Sequence, residues 1–256
     1  MTQKIRSPLK FVVALLSDIH GNAVALDAAL AAVEHDAPDQ IVCLGDVVVS
    51  GPQPRAALAR VRALGCPVVM GNTDAWALDP QPFTIRKPSD ELKYDVELWG
   101  ARQLTPDDQA FIRTFQPTIT LDLGHGRSLL CCHGSPRHFS DVIRATTPDA
   151  ELAEKLAGRR AAVIAGGHTH TPLLRRFENS LVINPGSVGL PIFWRNGQIQ
   201  NPVWAEYALL RVENGRLDVS FRRVPYALAG LETAVRASAM PHQEAFLQDW
   251  LAADAQ

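Results

Sequence analysis

Short apolar runs alternate with amphipathic stretches along the first third of the chain. Residues 10–17 (KFVVALLS) predict a strand, and residues 23–36, with Leu26, Leu30 and Val33 recurring on one face, predict a helix. Residues 40–44 give a second strand, 54–64 a helix and 67–70 a third strand, each after a short connection, so this part is built of βαβ units. From 75 to 116 the period becomes helical. Within it TPDDQAFIRTF places Thr105 as N-cap, Pro106 as the first helical residue and Asp108 at the capping-box position. Strands return at 118–123, 128–132, 161–165 and 180–183, with one helix around 150–156. GHGR at 124–127 lacks the third glycine of a dinucleotide loop and the helix after it, and reads as a hairpin turn. ALLRVENGRLDVSFRRV alternates on both sides of Asn214-Gly215, which tolerates the positive φ angles of a tight hairpin. The Ala- and Leu-rich stretch 228–253 predicts one or two outer helices. With no repeat, linker or low-complexity segment, residues 1–256 read as a single α/β domain carrying a helical insertion at about 75–116.

Composition narrows the function classes. An apolar fraction of 46% over 256 residues can bury a sizeable core. The 25 basic and 27 acidic residues leave a formal charge of −2, with no like-charged block to track a nucleic-acid backbone, so a small substrate fits better than a polymer. The apolar run from Phe11 to Leu16 follows basic residues as in a secretory signal, but it is shorter than a signal core, lacks a cleavage site and leads into charged residues. It reads as the first strand. No stretch approaches the ~20 apolar residues of a membrane span. Cys43, Cys66, Cys131 and Cys132 lie in or beside predicted strands without zinc spacing, which suits reduced thiols in the cytoplasm. A homo-oligomer stays open.

Polar residues collect at the ends of five predicted strands. SDIHGN supplies Asp18, His20 and the turn residue Asn22; the GD dipeptide supplies Asp46; GNTD supplies Asn72; CCHG supplies His133; GGHTH supplies His168 and His170. Carboxyl ends of strands in an α/β sheet open on one crevice, so seven candidate ligands converge. Carboxylate, imidazole and amide oxygen suit divalent manganese, iron, zinc or nickel. Residues two apart on a strand share a face, which predicts Asp18 with His20 and His168 with His170 as two pincers. Each motif alone is more often a turn or a satisfied polar pair; five in this order are not. His35, His125, His138 and His242 lie outside the motifs and read as solvated or structural.

The ordered set D-x-H, G-D, G-N-x-D, H-G, G-H-x-H, spanning Asp18 to Pro191 with NPGSVGLP at its end, resembles the calcineurin-like metallophosphoesterase superfamily and its small prokaryotic phosphodiesterase branch. The resemblance implies a four-layer α-β-β-α sandwich with two mixed sheets. It also implies two divalent ions, manganese favoured, one held by Asp18, His20, Asp46 and His170 and the other by Asp46, Asn72, His133 and His168. Asp46 would then bridge, and Asp46, Asn72 and His133 would serve catalysis by a metal-bridging hydroxide that attacks a small phosphoester.

Two departures bear on the substrate. Relatives often place a histidine acid where this chain has Thr73, and protein phosphatases place an arginine near Ser50. A dianionic monoester needs that arginine more than a diester does, so a phosphodiester is favoured. A phosphomonoesterase or nucleotide phosphatase is the alternative, and a non-catalytic scaffold the third reading. The expected pocket walls are residues 76–103 and 192–196, with Trp76, Phe193 and Trp194 as candidate stacking surfaces.

Overall fold

The computed structural model describes residues 10–195 and 198–254. In chain order the first elements are β1 (Lys10–Leu16), α1 (Ala23–Asp36), β2 (Gln40–Cys43), α2 (Pro54–Leu64), α3 (Asn72–Leu78), α4 (Pro88–Arg102) and α5 (Pro106–Ile112). Next come β3 (Ile119–Gly124), β4 (Arg127–Cys131), α6 (Asp149–Leu156), β5 (Val163–Ala165), β6 (Leu173–Phe177) and β7 (Ser180–Asn184). The last are β8 (Phe193–Arg195), β9 (Gln198–Gln200), β10 (Trp204–Glu213), β11 (Arg216–Pro225), α7 (Leu228–Ala237) and α8 (Gln243–Asp254).

Two mixed sheets form, ordered β11-β10-β1-β2 and β3-β4-β5-β7-β6, with β8 and β9 pairing as a ribbon. Period-two alternation separates the layers. Val13 and Leu15 of β1 meet Leu129 and Cys131 of β4, Val163 of β5 and Ile183 of β7 between the sheets. The intervening Val12, Ala14 and Leu16 face Leu26, Ala29 and Val33 of α1 and Leu58 of α2. On the far side, Leu130, Ile164 and Val182 pack under Leu152 and Leu156 of α6. The result is helix, sheet, sheet, helix. Val96 of α4 joins Leu231 and Val235 of α7 and Leu247 of α8 in a separate apolar cluster. Among the described residues no helix is long and apolar enough to cross a membrane.

Three local predictions change. The expected strand at 67–70 is reduced to single bridges, Val68 with Cys43 and Val69 with Gln116, because α3 begins at Asn72 and leaves no length for a ladder. β6 is an edge strand without an apolar signature in the sequence: Leu173 is buried, Leu174 is 52% exposed and two arginines follow, so no apolar face repeats. β8 and β9, also unforeseen, are three residues each. The capping box stands as expected, the Thr105 hydroxyl accepting from the Asp108 N–H at 3.2 Å and the Asp108 carboxylate accepting from the Thr105 N–H at 3.0 Å. Both hairpins expected from the sequence turn through left-handed pairs, His125-Gly126 and Asn214-Gly215.

Candidate metal centre

β1, β2, β4 and β5 end side by side, and the loops that leave them carry six of the seven candidate ligands; Asn72 opens α3 after the bridged segment at Val68. The chain leaves abruptly: Asp18 (φ 54°), His20 (48°), Asp46 (55°), His168 (67°) and His170 (55°) all sit in the left-handed region. A side chain disfavours that region by ~1–3 kcal/mol per residue, and such residues persist where surrounding structure fixes them. None of the four pincer residues lies in a strand, so strand alternation does not pair them. Asp18 and His20 share one group, but His168 and His170 part into two.

The first group is Asp18, His20 and His170, and the second is Asp46, His133 and His168; within each, one donor atom per residue lies within 4.8 Å of the others. His170 Nε2 stands 3.2 Å from Asp18 Oδ1 and 3.0 Å from His20 Nε2. His133 Nε2 stands 3.2 Å from Asp46 Oδ2 and 3.1 Å from Asn72 Oδ1, which brings Asn72 to the second group. Asp46 Oδ2 is also 3.7 Å from His20 Nε2, so one carboxylate oxygen faces both groups.

Backbone carbonyls orient three of the imidazoles. Nδ1 of His20, His133 and His170 lies 3.2, 2.8 and 2.7 Å from the carbonyls of Val49, Leu44 and Leu190. A carbonyl can only accept, so each Nδ1 carries a proton and Nε2 is turned to the cluster, the arrangement that prepares a histidine to ligate. The Nε2 atoms of His20 and His170 stand 3.0 Å apart, close enough to meet one cation set to the side of the line joining them. The donor set therefore fits divalent metal.

Electrostatics point the same way. Burial alone would raise the Asp18 carboxyl, but the His170 and His20 imidazoles hold it well below the usual carboxylate range. Burial likewise opposes ionisation of Asp46, and His133 overrides it downward. Burial would lower His133, yet Asp46 pushes it up to about 10. Burial, then His133, lowers His168.

Several supporting residues were not assigned from sequence. Asp74 is fully buried, and its carboxylate accepts from the N–H groups of Asp46 (2.7 Å), Val47 (2.8 Å) and Gly71 (3.2 Å). Burial, then the charge of Asp46, pushes this carboxyl up to about 6. Ser187 donates to the Asp18 carbonyl at 2.6 Å, and the Asn184 amide donates to the Gly167 carbonyl at 2.6 Å, so NPGSVG ties the first and fifth ligand loops together. Asn22, read as a turn residue, caps α1 through the Ala25 N–H and donates to the Gly189 carbonyl at 2.9 Å. The acid of GNTD and the NPGSVG run were visible in sequence; their partners were not. The Thr73 N–H donates to Asp46 Oδ1 at 2.8 Å, while its buried hydroxyl has no partner.

Trp76 packs against Phe83, tilted, and Tyr94, edge-on, at ring-centroid distances of 5.4 and 6.3 Å and lies on the core beside α1 and α2. Phe193 is 47% exposed; the Trp194 side chain and Asn196 lie outside the described residues. His242 pairs with Asp95 at 2.7 Å, and His138 accepts from the Ser140 N–H, both apart from the cluster.

Comparison with known proteins places the fold in a family. The chain is 26% identical over 205 residues to an uncharacterized protein of Methanocaldococcus jannaschii, covering 72% of this chain and 78% of that one. A crystal structure of a metallophosphoesterase from Sphaerobacter thermophilus superposes with a TM-score of 0.70 at 26% identity, over 95% of this chain and 98% of the other. A hypothetical protein from Pyrococcus horikoshii shares the fold at a TM-score of 0.76 and 20% identity, over 94% and 98% of the two chains. The model of the calcineurin-like phosphoesterase superfamily domain matches residues 11–215, and the chain belongs to that superfamily.

Proposed function

We propose that the protein is a phosphodiesterase that hydrolyses a small organic phosphate with two divalent cations, manganese favoured. The observation that carries the dinuclear reading is the placement of Asp46 Oδ2, 3.2 Å from His133 Nε2 and 3.7 Å from His20 Nε2, between the two ligand groups. Asp18, His20 and His170 would hold one ion, and Asn72, His133 and His168 the other, with Asp46 shared. Two such ions supply a water acidified to near-neutral pKa and neutralise charge on the phosphoryl oxygens.

The rest falls to the chain's own groups. Asp46 and Asn72, whose donor oxygens lie within 3.2 Å of His133 Nε2, would with His133 be the side chains nearest the reacting phosphoryl group and would serve catalysis from the second group. Thr73 gives the leaving oxygen no acid, which suits esters whose alkoxide or phenoxide departs readily. Ser50 donates to Glu97 at 3.0 Å and carries no guanidinium, so it offers a dianionic monoester no bidentate charged contact. That favours the diester over the phosphomonoesterase or nucleotide-phosphatase alternative. Filled ligand positions speak against a non-catalytic scaffold.

The test is manganese analysis of the reconstituted protein with kcat/KM for aryl phosphodiesters and aryl phosphates. Two ions per chain and faster diester turnover are expected. A monoester preference would replace the diesterase reading with the alternative, and failure to bind manganese, iron, zinc or nickel would refute the metal centre.

A further inference from the structure

Glu97, on α4, is a buried carboxyl that the proposed reaction leaves unused: its relative exposure is 2%. Its Oε1 accepts from Ser50 Oγ at 3.0 Å and lies 3.6 Å from Lys93 Nζ, one turn earlier on the same helix. Ser50 stands at φ 79°, a conformation unfavourable for any residue with a Cβ and maintained only by outside contacts. The carbonyl of the preceding residue, Val49, is the one facing His20 Nδ1 at 3.2 Å. α4 also passes close to Val49, for a Cβ added at Gly100 would lie 3.4 Å from Val49 Cγ1. One helix thus holds Ser50 by a hydrogen bond and lies beside Val49, whose carbonyl faces His20. Asp46 and Val47, at the start of the same loop, are fixed separately by Asp74 at 2.7 and 2.8 Å.

We propose that Glu97 is a positioning residue for the Asp18, His20 and His170 group: by anchoring Ser50 it holds the Val49 carbonyl where it turns His20 Nε2 toward Asp18 and His170. The inference rests on reading those three side chains as metal ligands. It links the helical segment to one metal position selectively. Asn72, His133 and His168 owe their placement to other contacts, notably the Leu44 carbonyl at His133, and do not depend on Ser50.

Calorimetric manganese titration of the metal-free full chain tests this with wild type, Glu97→Ala, Glu97→Gln, Ser50→Ala and the Ser50→Ala/Glu97→Ala pair. Outer contacts of a metal ligand are worth ~10–100-fold in affinity. Glu97→Ala and Ser50→Ala should weaken one of two binding steps by about that factor and leave the other unchanged. The double variant should be no weaker than either single one, since both remove the same bond. Glu97→Gln keeps an oxygen acceptor for Ser50 and should retain wild-type binding. Should Glu97→Ala fail to fold, Ser50→Ala breaks the same bond by losing one oxygen. Wild type with two steps and a Ser50→Ala variant with the same two overturns this inference alone. Equal weakening of both steps, or Glu97→Gln as weak as Glu97→Ala, also overturns it. A wild type that binds no manganese overturns it together with the proposed function.

Discussion

Gly167→Ala tests how tightly the ligand loops are fitted to one another. Gly167 lies between β5 and His168, its N–H donating to the His133 carbonyl at 2.7 Å and its carbonyl accepting from the Asn184 amide at 2.6 Å. It is therefore held on both sides and cannot easily retreat. An added Cβ would stand 1.9 Å from Ser17 Oγ and 2.6 Å from Asp18 Oδ2. Against the ~3.5 Å at which nonbonded heavy atoms rest, the first contact is short by about 1.6 Å. The Ser17 hydroxyl would have to turn away from Asp18, to which it donates at 2.5 Å. A lost hydrogen bond to a charged group costs ~1.5–3 kcal/mol, and residual overpacking adds ~1–3 kcal/mol. A total of about 4 kcal/mol lowers Tm by roughly 10 °C in a chain of this size. Circular-dichroism melts of the metal-free protein measure the loss, and manganese titration should show weaker binding at the Asp18 group. Ser17→Ala added to Gly167→Ala removes the worst contact and should recover part of the Tm. A Gly167→Ala variant with wild-type Tm and wild-type manganese affinity would refute the packing argument.

Other outcomes follow from the same geometry. Asp46→Asn removes the shared carboxylate and should lower turnover by orders of magnitude with loss of manganese, whereas His20→Ala should weaken one ion; wild-type turnover in Asp46→Asn would sink the bridging role. Because Asp46 pushes His133 up to about 10 from its ordinary 6.5, the metal-free ring is protonated at pH 7 and a metal must displace that proton. Uptake should then release protons, with affinity rising as pH climbs toward about 10, as calorimetry in buffers of different ionisation enthalpy can check. The same raised pKa stabilises the metal-free fold fully below 6.5, a contribution lost as pH rises through about 10. With Thr73 as no acid, wild-type rates should fall steeply with leaving-group pKa, and Thr73→His should help poor leaving groups most; a shallow wild-type slope means another group donates the proton.

The sequence by itself set out most strands and helices and named the candidate ligands. The apolar run of β1 marked a strand buried on both faces, but because both faces are apolar only the closed fold showed that Val12, Ala14 and Leu16 meet helices while Val13 and Leu15 meet the second sheet. The motifs at the strand ends supplied Asp18, His20, Asp46, Asn72, His133, His168 and His170, because donor types and glycines are written in the chain. Tertiary structure decided how those donors divide. His168 and His170 fall in different groups because neither lies in an extended strand, so strand alternation does not put them on one face, a departure no side-chain pattern encodes. It also decided the supports: Asp74 beneath Asp46, Ser187 beneath Asp18 and Glu97 beneath Ser50 are joined over 28, 169 and 47 residues. Edge strand β6 stayed hidden for a related reason, since its membership comes from the backbone of β7 and not from an apolar face of its own. Contacts across such separations exist only once the sheets have closed, so local patterns can name the participants but not the pairs.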